Sequence, residues 1–253
     1  MRKVMVIGSV FGTVFALAGC TSKSGMVTTP SQPAPAAVTT GRISLNFDDG
    51  YTSAYVNAVP ILERAGFHAT FYIITRSVGV RGYMTQAEIT GLAGRGHEIG
   101  AHTRTHPHMA LLDVPQIRDE VIGCRQDLAA MGFPDVQTLA YPFGEYTGPI
   151  VSITQEAGFQ AARSVDNGTN VAGVNRLTLK ANPIGASESL PAVQHMIDAA
   201  DTPGNWVILV FHRIDEDGNS ISIRHELFTD IVDYISQKHL PVVTMQEGLR
   251  ALP

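Results

Sequence analysis

The chain has 253 residues, with 18 Lys and Arg set against 23 Asp and Glu for a net charge of −5. That acidic balance, without any basic run, speaks against nucleic acid or a strongly anionic polymer as a partner. Two cysteines, Cys20 and Cys124, are too few for a disulfide framework.

The first element is a targeting segment. Arg2 and Lys3 precede an apolar run from Val4 to Ala18 that is short for a membrane span and ends in Leu17-Ala18-Gly19-Cys20. A basic start, a short apolar stretch and small residues before a cysteine describe a secretory signal peptide, and Leu-Ala-Gly-Cys looks like a bacterial lipobox. The expected processing removes residues 1–19 and lipidates Cys20; cleavage nearby without a lipid is the alternative. The expected location is that of an exported lipoprotein, anchored to a cell-envelope membrane through Cys20. Residues 20–41, rich in Ser, Thr, Pro, Ala and Gly, read as a flexible tether. Residues 42–253 suffice for one large α/β domain, in which Cys124 reads as a small core residue.

The domain opens with Ile43-Ser44-Leu45-Asn46-Phe47-Asp48-Asp49-Gly50, an alternating apolar run that ends in two acids and a glycine. This predicts a buried strand delivering carboxylates into a cleft; a turn signal or a helix N-cap is the plainer reading. Apolar residues at helical spacing then predict a helix over 52–65, with Gly66 as its C-cap, followed by a strand over 69–74. A short helix over 85–93 opens on Thr85 with Glu88 three residues on, and a strand over 97–100 follows. The longest helical pattern runs from Val114 to Met131 and stops at Gly132 and Pro134. A strand over 137–140 leads into Tyr141-Pro142-Phe143-Gly144, then a helix over 149–157, a strand over 159–163 and a Gly/Asn-rich loop over 166–174. A helix over 190–200, a strand over 206–211, a helix over 225–238 and a last strand over 241–244 complete the domain.

Strand-helix alternation predicts parallel strands joined by right-handed crossovers, about seven of them, with the polar motifs at their C-terminal ends. Periodicity does not separate a barrel from an open sheet.

Two further stretches carry chemistry. His102 and His106, four residues apart, can face one way on a helical turn; they form either a surface pair or, with one carboxylate, the three-ligand open site of a catalytic zinc. His212 caps the apolar run Trp206 to Phe211, as a core histidine or as a rigidly held general acid.

Taken in order, Asn46-Phe47-Asp48-Asp49-Gly50, His102-Thr103-Arg104-Thr105-His106-Pro107, Ala140-Tyr141-Pro142-Phe143 and Val210-Phe211-His212 resemble the motifs T-F-D-D-G, H-S/T-x-x-H-P, R-x-P-Y and L-x-H. These are the motifs of polysaccharide deacetylases with a NodB-homology domain, also known as carbohydrate esterase family 4. The resemblance runs from Arg42 to the C-terminus and implies a distorted, incomplete (β/α) barrel. It also implies hydrolytic removal of N-acetyl groups from an amino-sugar polysaccharide such as poly-N-acetylglucosamine, peptidoglycan or a chitin-like polymer. An O-acetyl esterase of the xylan type and a non-catalytic glycan-binding lipoprotein are the alternatives.

Carried over residue by residue, the resemblance puts a metal on Asp49, His102 and His106. Zinc is expected, with cobalt and nickel also compatible with such ligands. Asp48 becomes the general base and His212 the general acid, and the backbone N–H of Phe143 meets the developing oxyanion. Tyr141 and Pro142 of the third motif, and Leu209 and Val210 beside the last, become substrate contacts.

Three departures stand out. Asn46 replaces the Thr of the first motif, Ala140 stands where many members carry the Arg that orients the base, and the fourth motif's Asp-x-x-Asp-Trp pattern is absent. Arg163, at the end of the strand over 159–163, either supplies the missing guanidinium or pairs at the surface with Asp166 or Glu156. His108 can line the cleft, and Tyr146 and Trp206 can stack on a sugar or simply pack. His68, His97, His195, His225 and His239 read as solvated or core-satisfied.

Overall fold

A computed structural model describes residues 41–252; the signal segment, Cys20 and nearly all of the tether lie outside the described residues. Ten strands and seven helices are named in chain order: β1 (Arg42–Phe47), α1 (Val59–Ala65), β2 (Thr70–Ile73), α2 (Gln86–Gly94), β3 (Glu98–Ala101), α3 (Val114–Ala130), β4 (Thr138–Ala140), α4 (Gly148–Glu156), β5 (Ala161–Arg163), β6 (Thr169–Asn170), β7 (Asn182–Pro183), α5 (Leu190–Asp198), β8 (Trp206–Phe211), β9 (Arg213–Ile214), β10 (Ser222–Ile223), α6 (His225–Gln237) and α7 (Met245–Arg250).

The main sheet runs β5-β4-β3-β2-β1-β8-β6, with β7 also paired to β8. Its strands are parallel except β6, which is antiparallel to β8; the parallel ones are seven, with β7 in place of the strand expected over 241–244. The sheet curls until its edges nearly meet. Leu179 bridges Arg163 on β5, while Asn182 and Pro183 pair with Leu209 and Val210 on β8. Three residues of extended chain span only about 10 Å, about two strand spacings. One short strap therefore closes most of the gap, giving the incomplete barrel the resemblance implies.

Every residue of β1 is buried, and the period of two decides where each goes. Ile43, Leu45 and Phe47 join the apolar layer under the helices, whereas Ser44 and Asn46 face the barrel interior with Trp206, Ile208, Val210, Tyr72 and Ala140. Phe47 stacks on Phe71 and Phe211 at 4.8 and 5.5 Å and meets the Phe228 ring edge-on at 5.7 Å. Such pairs add about 0.5–1.5 kcal/mol each beyond buried area, and here they pin the strand end just before Asp48.

The capping box of Thr85 and Glu88 forms as read. Two expectations are corrected. The stretch 241–244 is not a strand: Val242 makes a single bridge to Ile43, and the chain then enters α7. The Thr244-Met245-Gln246-Glu247 capping box starts α7 directly after the stretch expected as a strand. The helix over 52–65 divides into a π-helical turn at Ala54–Ala58 and α1. Helix α7 plugs the N-terminal end of the barrel. A Cβ on Gly248 would lie 2.3 Å from Trp206, so only glycine allows that contact. The Met245 N–H donates to Thr70 Oγ1, and buried Glu98 accepts from Thr70, Thr138 and the Gln246 N–H. These contacts close the interior below, and the polar motifs stand at the C-terminal ends of the strands.

Candidate active site

Asp48 continues the inward alternation of β1, and its N–H still donates to Phe211 O at 2.9 Å. Asp49 does not continue it. Its φ is +70° and Gly50 follows at +82°, so the chain leaves the strand and carries the second carboxylate elsewhere. Thr103 (φ +62°), His106 (φ +59°) and Phe143 (φ +56°) also adopt the left-handed conformation. Among the described residues, four of the five non-glycine residues in that region therefore surround one site, each at a cost of about 1–2 kcal/mol, as expected where backbone strain serves a function.

The two histidines do not share a helical turn. Residues 102–106 form a loop after β3, and the two left-handed residues bring the rings together at 4.7 Å. His102 Nδ1 lies 2.8 Å from Ala140 O; a carbonyl only accepts, so Nδ1 carries the proton. Nε2 is then directed to Asp49 Oδ1 at 3.3 Å and Asp48 Oδ2 at 3.8 Å. His106 Nε2 lies 3.5 Å from the same Asp49 Oδ1.

These atoms fit a metal. Asp49 Oδ1 is buried without a hydrogen-bond partner, and one donor atom from each of Asp49, His102 and His106 lies within 4.8 Å of the others. Tetrahedral zinc with bonds near 2.0–2.1 Å requires ligand separations of about 3.3 Å, which matches the distances from Asp49 to both rings. The Nδ1–H bond to a carbonyl is the outer support that ligating histidines carry.

Charge balance around the two acids follows the same geometry. Burial opposes ionisation of Asp48, but the Arg163 guanidinium, then His102 and His212, hold its carboxyl below the ordinary value. Burial likewise works against Asp49, yet the close approach and charge of His102, with His212 and His106, bring it to about 2. His102 is raised because Asp48 and Asp49 outweigh its burial, while burial and the charge of His102 push His106 to about 4.

Arg163 is fully buried. Its Nη2 donates to Asp48 Oδ1 and its Nε to Asn46 Oδ1 at 3.0 Å, with the guanidinium 4.9 Å from the Tyr72 ring centre. The surface pairing considered for it does not occur: Asp166 accepts from Tyr146 Oη and Glu156 pairs with Arg118. Arg163 sits directly beside Ala140 in the β4–β5 register.

The cavity above these groups holds about 560 Å³. Asp48, Asp49, His102, His106, His212, Tyr141 and Phe143 line it, and Phe143 is half exposed. Leu209 and Val210 do not. Leu209 belongs to the layer under the helices and Val210 to the barrel interior, both without exposure. Pro142 is buried beneath the rim as well. Val165, Pro183, Ile221 and Ile74 supply the apolar wall instead, and Tyr51 and Tyr83 form a stacked pair at 4.9 Å beside it. Tyr51 could have been suspected from its place after Asp-Asp-Gly; Tyr83 and Ile221 come from distant loops and carry no local signal. His108 stacks on Phe143 at 3.9 Å and bonds Glu145. Trp206 packs at the barrel base, its Nε1 donating to Ser44 Oγ. A smaller cavity of about 360 Å³ beside α7, lined by His97, Glu98 and Arg250, lies at the opposite strand ends.

A family model described as polysaccharide deacetylase matches residues 36–162, which contain the acids, both histidines and the third motif. The chain belongs to the polysaccharide deacetylase family. It is similar to YxkH of Bacillus subtilis (strain 168), 27% identical over 126 residues, 50% of this chain and 45% of that one. It is similar to the chitooligosaccharide deacetylase of Bradyrhizobium sp. (strain ANU 289), 27% identical over 133 residues, 50% of this chain and 58% of that one. The matches thus span about half the length of these relatives. The Xyl-CE4 domain of a multidomain xylanase from the hindgut metagenome of Trinervitermes trinervoides shares the fold, with a TM-score of 0.59 and 20% identity over 83% of this chain and 90% of that one. The polysaccharide deacetylases are in general metal-dependent, and the Asp49, His102 and His106 cluster of this chain fits that.

Proposed function

We propose that this polysaccharide deacetylase removes acetyl groups from the amino nitrogen of an N-acetylated glycan, with zinc on Asp49, His102 and His106. The observation that carries the reading is a division of labour between neighbouring acids. Asp49 Oδ1 lies 3.3 and 3.5 Å from the two imidazoles, while Asp48 is held by Arg163 and its Oδ2 stands farther off, 3.8 Å from His102 Nε2. The chitooligosaccharide deacetylase relative supports an amino-sugar substrate.

A bound divalent cation would acidify a water and polarise the acetyl carbonyl. Asp48, kept ionised by Arg163, would accept a proton from a water whose oxygen bonds to the carbonyl carbon. The Phe143 amide donates to the developing oxyanion; a main-chain N–H serves whichever aromatic side chain stands there. His212, on the cavity wall after β8, gives a proton to the departing nitrogen as the C–N bond breaks, leaving acetate and a free amine. Val165, Pro183 and Ile221 offer an apolar wall for an acetyl methyl.

Acetate release from N-acetylglucosamine oligomers, peptidoglycan and acetylxylan tests the reading. Release from an amino-sugar substrate supports it, and release from acetylxylan alone replaces it with an O-acetyl esterase. The anchored location belongs to the same proposal. Labelled palmitate recovered on the wild-type chain but not on Cys20→Ala supports it; no label on either overturns it.

A further inference from the structure

Two left-handed residues leave the loop His102–His106 strained, and the loop must be held from outside. Its own contribution is one bond, from the His106 N–H to Thr103 Oγ1 at 3.1 Å. On one side Thr75 and Arg76 donate their N–H groups to the Thr103 and Arg104 carbonyls. On the other side lies α3, and the face it turns to the loop is unusual.

Glu120, Gly123 and Asp127 are three and four residues apart on α3 and share that face. Glu120 is 8% exposed, and its carboxylate accepts from the Arg104 N–H, the Thr105 N–H and the Thr105 hydroxyl at 2.9, 2.9 and 2.6 Å. Asp127 accepts from Arg104 Nε and Nη2 at 2.9 and 3.2 Å, and also from Thr75 Oγ1. Between them the Arg104 side chain lies flat across Gly123, where a Cβ would sit 2.6 Å from Cδ and 3.0 Å from Nη1. Glycine is a poor residue for a helix interior, and this close passage gives it a reason. Arg104 and Thr105, two of the three residues between the histidines, are therefore gripped by one helix face.

We propose that the Glu120, Gly123 and Asp127 face of α3 is a positioning cradle for the loop His102–His106, and that it sets metal affinity. The proposal rests on the reading of Asp49, His102 and His106 as zinc ligands. Without Glu120 two amides and a hydroxyl lose their acceptor, the left-handed residues relax, and His106 leaves the position that Asp49 shares. Outer supports of this kind are worth about 10–100-fold in metal affinity.

The test measures zinc affinity of the full chain against a chromophoric chelator, beside the denaturation midpoint of the metal-free protein. Glu120→Ala and Gly123→Ala are expected to weaken zinc binding about 10–100-fold. Gly123→Ala is the sharper variant, because alanine favours the helix itself while displacing Arg104. Glu120→Gln, which still accepts from both amides, is expected to recover most of the affinity. Asp119→Ala, which removes only the exposed contact to Arg104 Nη1, is expected to leave affinity within about twofold, as the outer supports proper do not change. Wild-type affinity in both Glu120→Ala and Gly123→Ala would overturn the cradle while leaving the metal site standing. Wild-type protein that binds no zinc would overturn the metal site and the cradle with it.

Discussion

Arg163 Nε donates to Asn46 Oδ1 at 3.0 Å, so the asparagine that departs from the first motif is hydrogen-bonded to a buried arginine outside the motifs. Ala140, a second departure, is the direct register neighbour of Arg163. The guanidinium missing from β4 stands one strand over on β5, and the Asn at the first motif is its second acceptor.

Arg163→Lys should keep the charge and lose the fork, lowering turnover on the order of a hundredfold while zinc content stays at one per chain. Arg163→Ala removes one partner of a buried pair and should cost about 3–5 kcal/mol of stability. The double change Ala140→Arg with Arg163→Ala should recover part of both, since the two positions are adjacent and face the same interior. Denaturation midpoints and steady-state rates check each point. Full activity in Arg163→Lys would remove Arg163 from the account.

The outline of the fold was legible because it rests on local signals. Alternation, caps and strand-helix order gave the strands from β1 to β5 and β8, and helices α2 to α6, nearly in place. The site was legible in part for the same reason: Asp48, Asp49, His102, His106 and His212 each stand at a strand end or just beyond. The helical turn expected for His102 and His106 was wrong because strain at Thr103 and His106, held by tertiary bonds, outweighs local preference. Leu209 and Val210 were misplaced because a strand end alternates between two buried faces, and neither face is the cavity. The strap over 179–183 pairs through two or three residues and carries no periodic signal.

Metal binding should release a proton from His102. Its pKa in the metal-free domain is raised by Asp48 and Asp49, so at pH just above 6.5 it still carries a proton that a metal must displace. Zinc affinity should therefore rise with pH through that range, and calorimetry in buffers of different ionisation enthalpy should register the release. Asp49 works in the acid range. Its folded value of about 2 lies below the ordinary 3.8, so its contribution is present above 3.8 and lost as pH falls through about 2. Asp49→Asn should flatten the acid limb of stability in the metal-free protein. An unchanged limb would contradict the pairing with His102.

Phe143 should matter through its main chain. Phe143→Gly keeps the amide and tolerates φ +56°, so its turnover should stay within about tenfold of wild type, less than the loss of an oxyanion donor would cost. A fall of a thousandfold would assign the work to the ring.

The most direct test is acetate release by the zinc-loaded full chain from N-acetylglucosamine oligomers, with Asp48→Asn beside it. The account predicts release by the wild type and a loss of about 10²–10⁴-fold in Asp48→Asn, with zinc bound equally by both. Equal rates in the two proteins, or zinc lost from Asp48→Asn, would contradict the separation of base and ligand between Asp48 and Asp49.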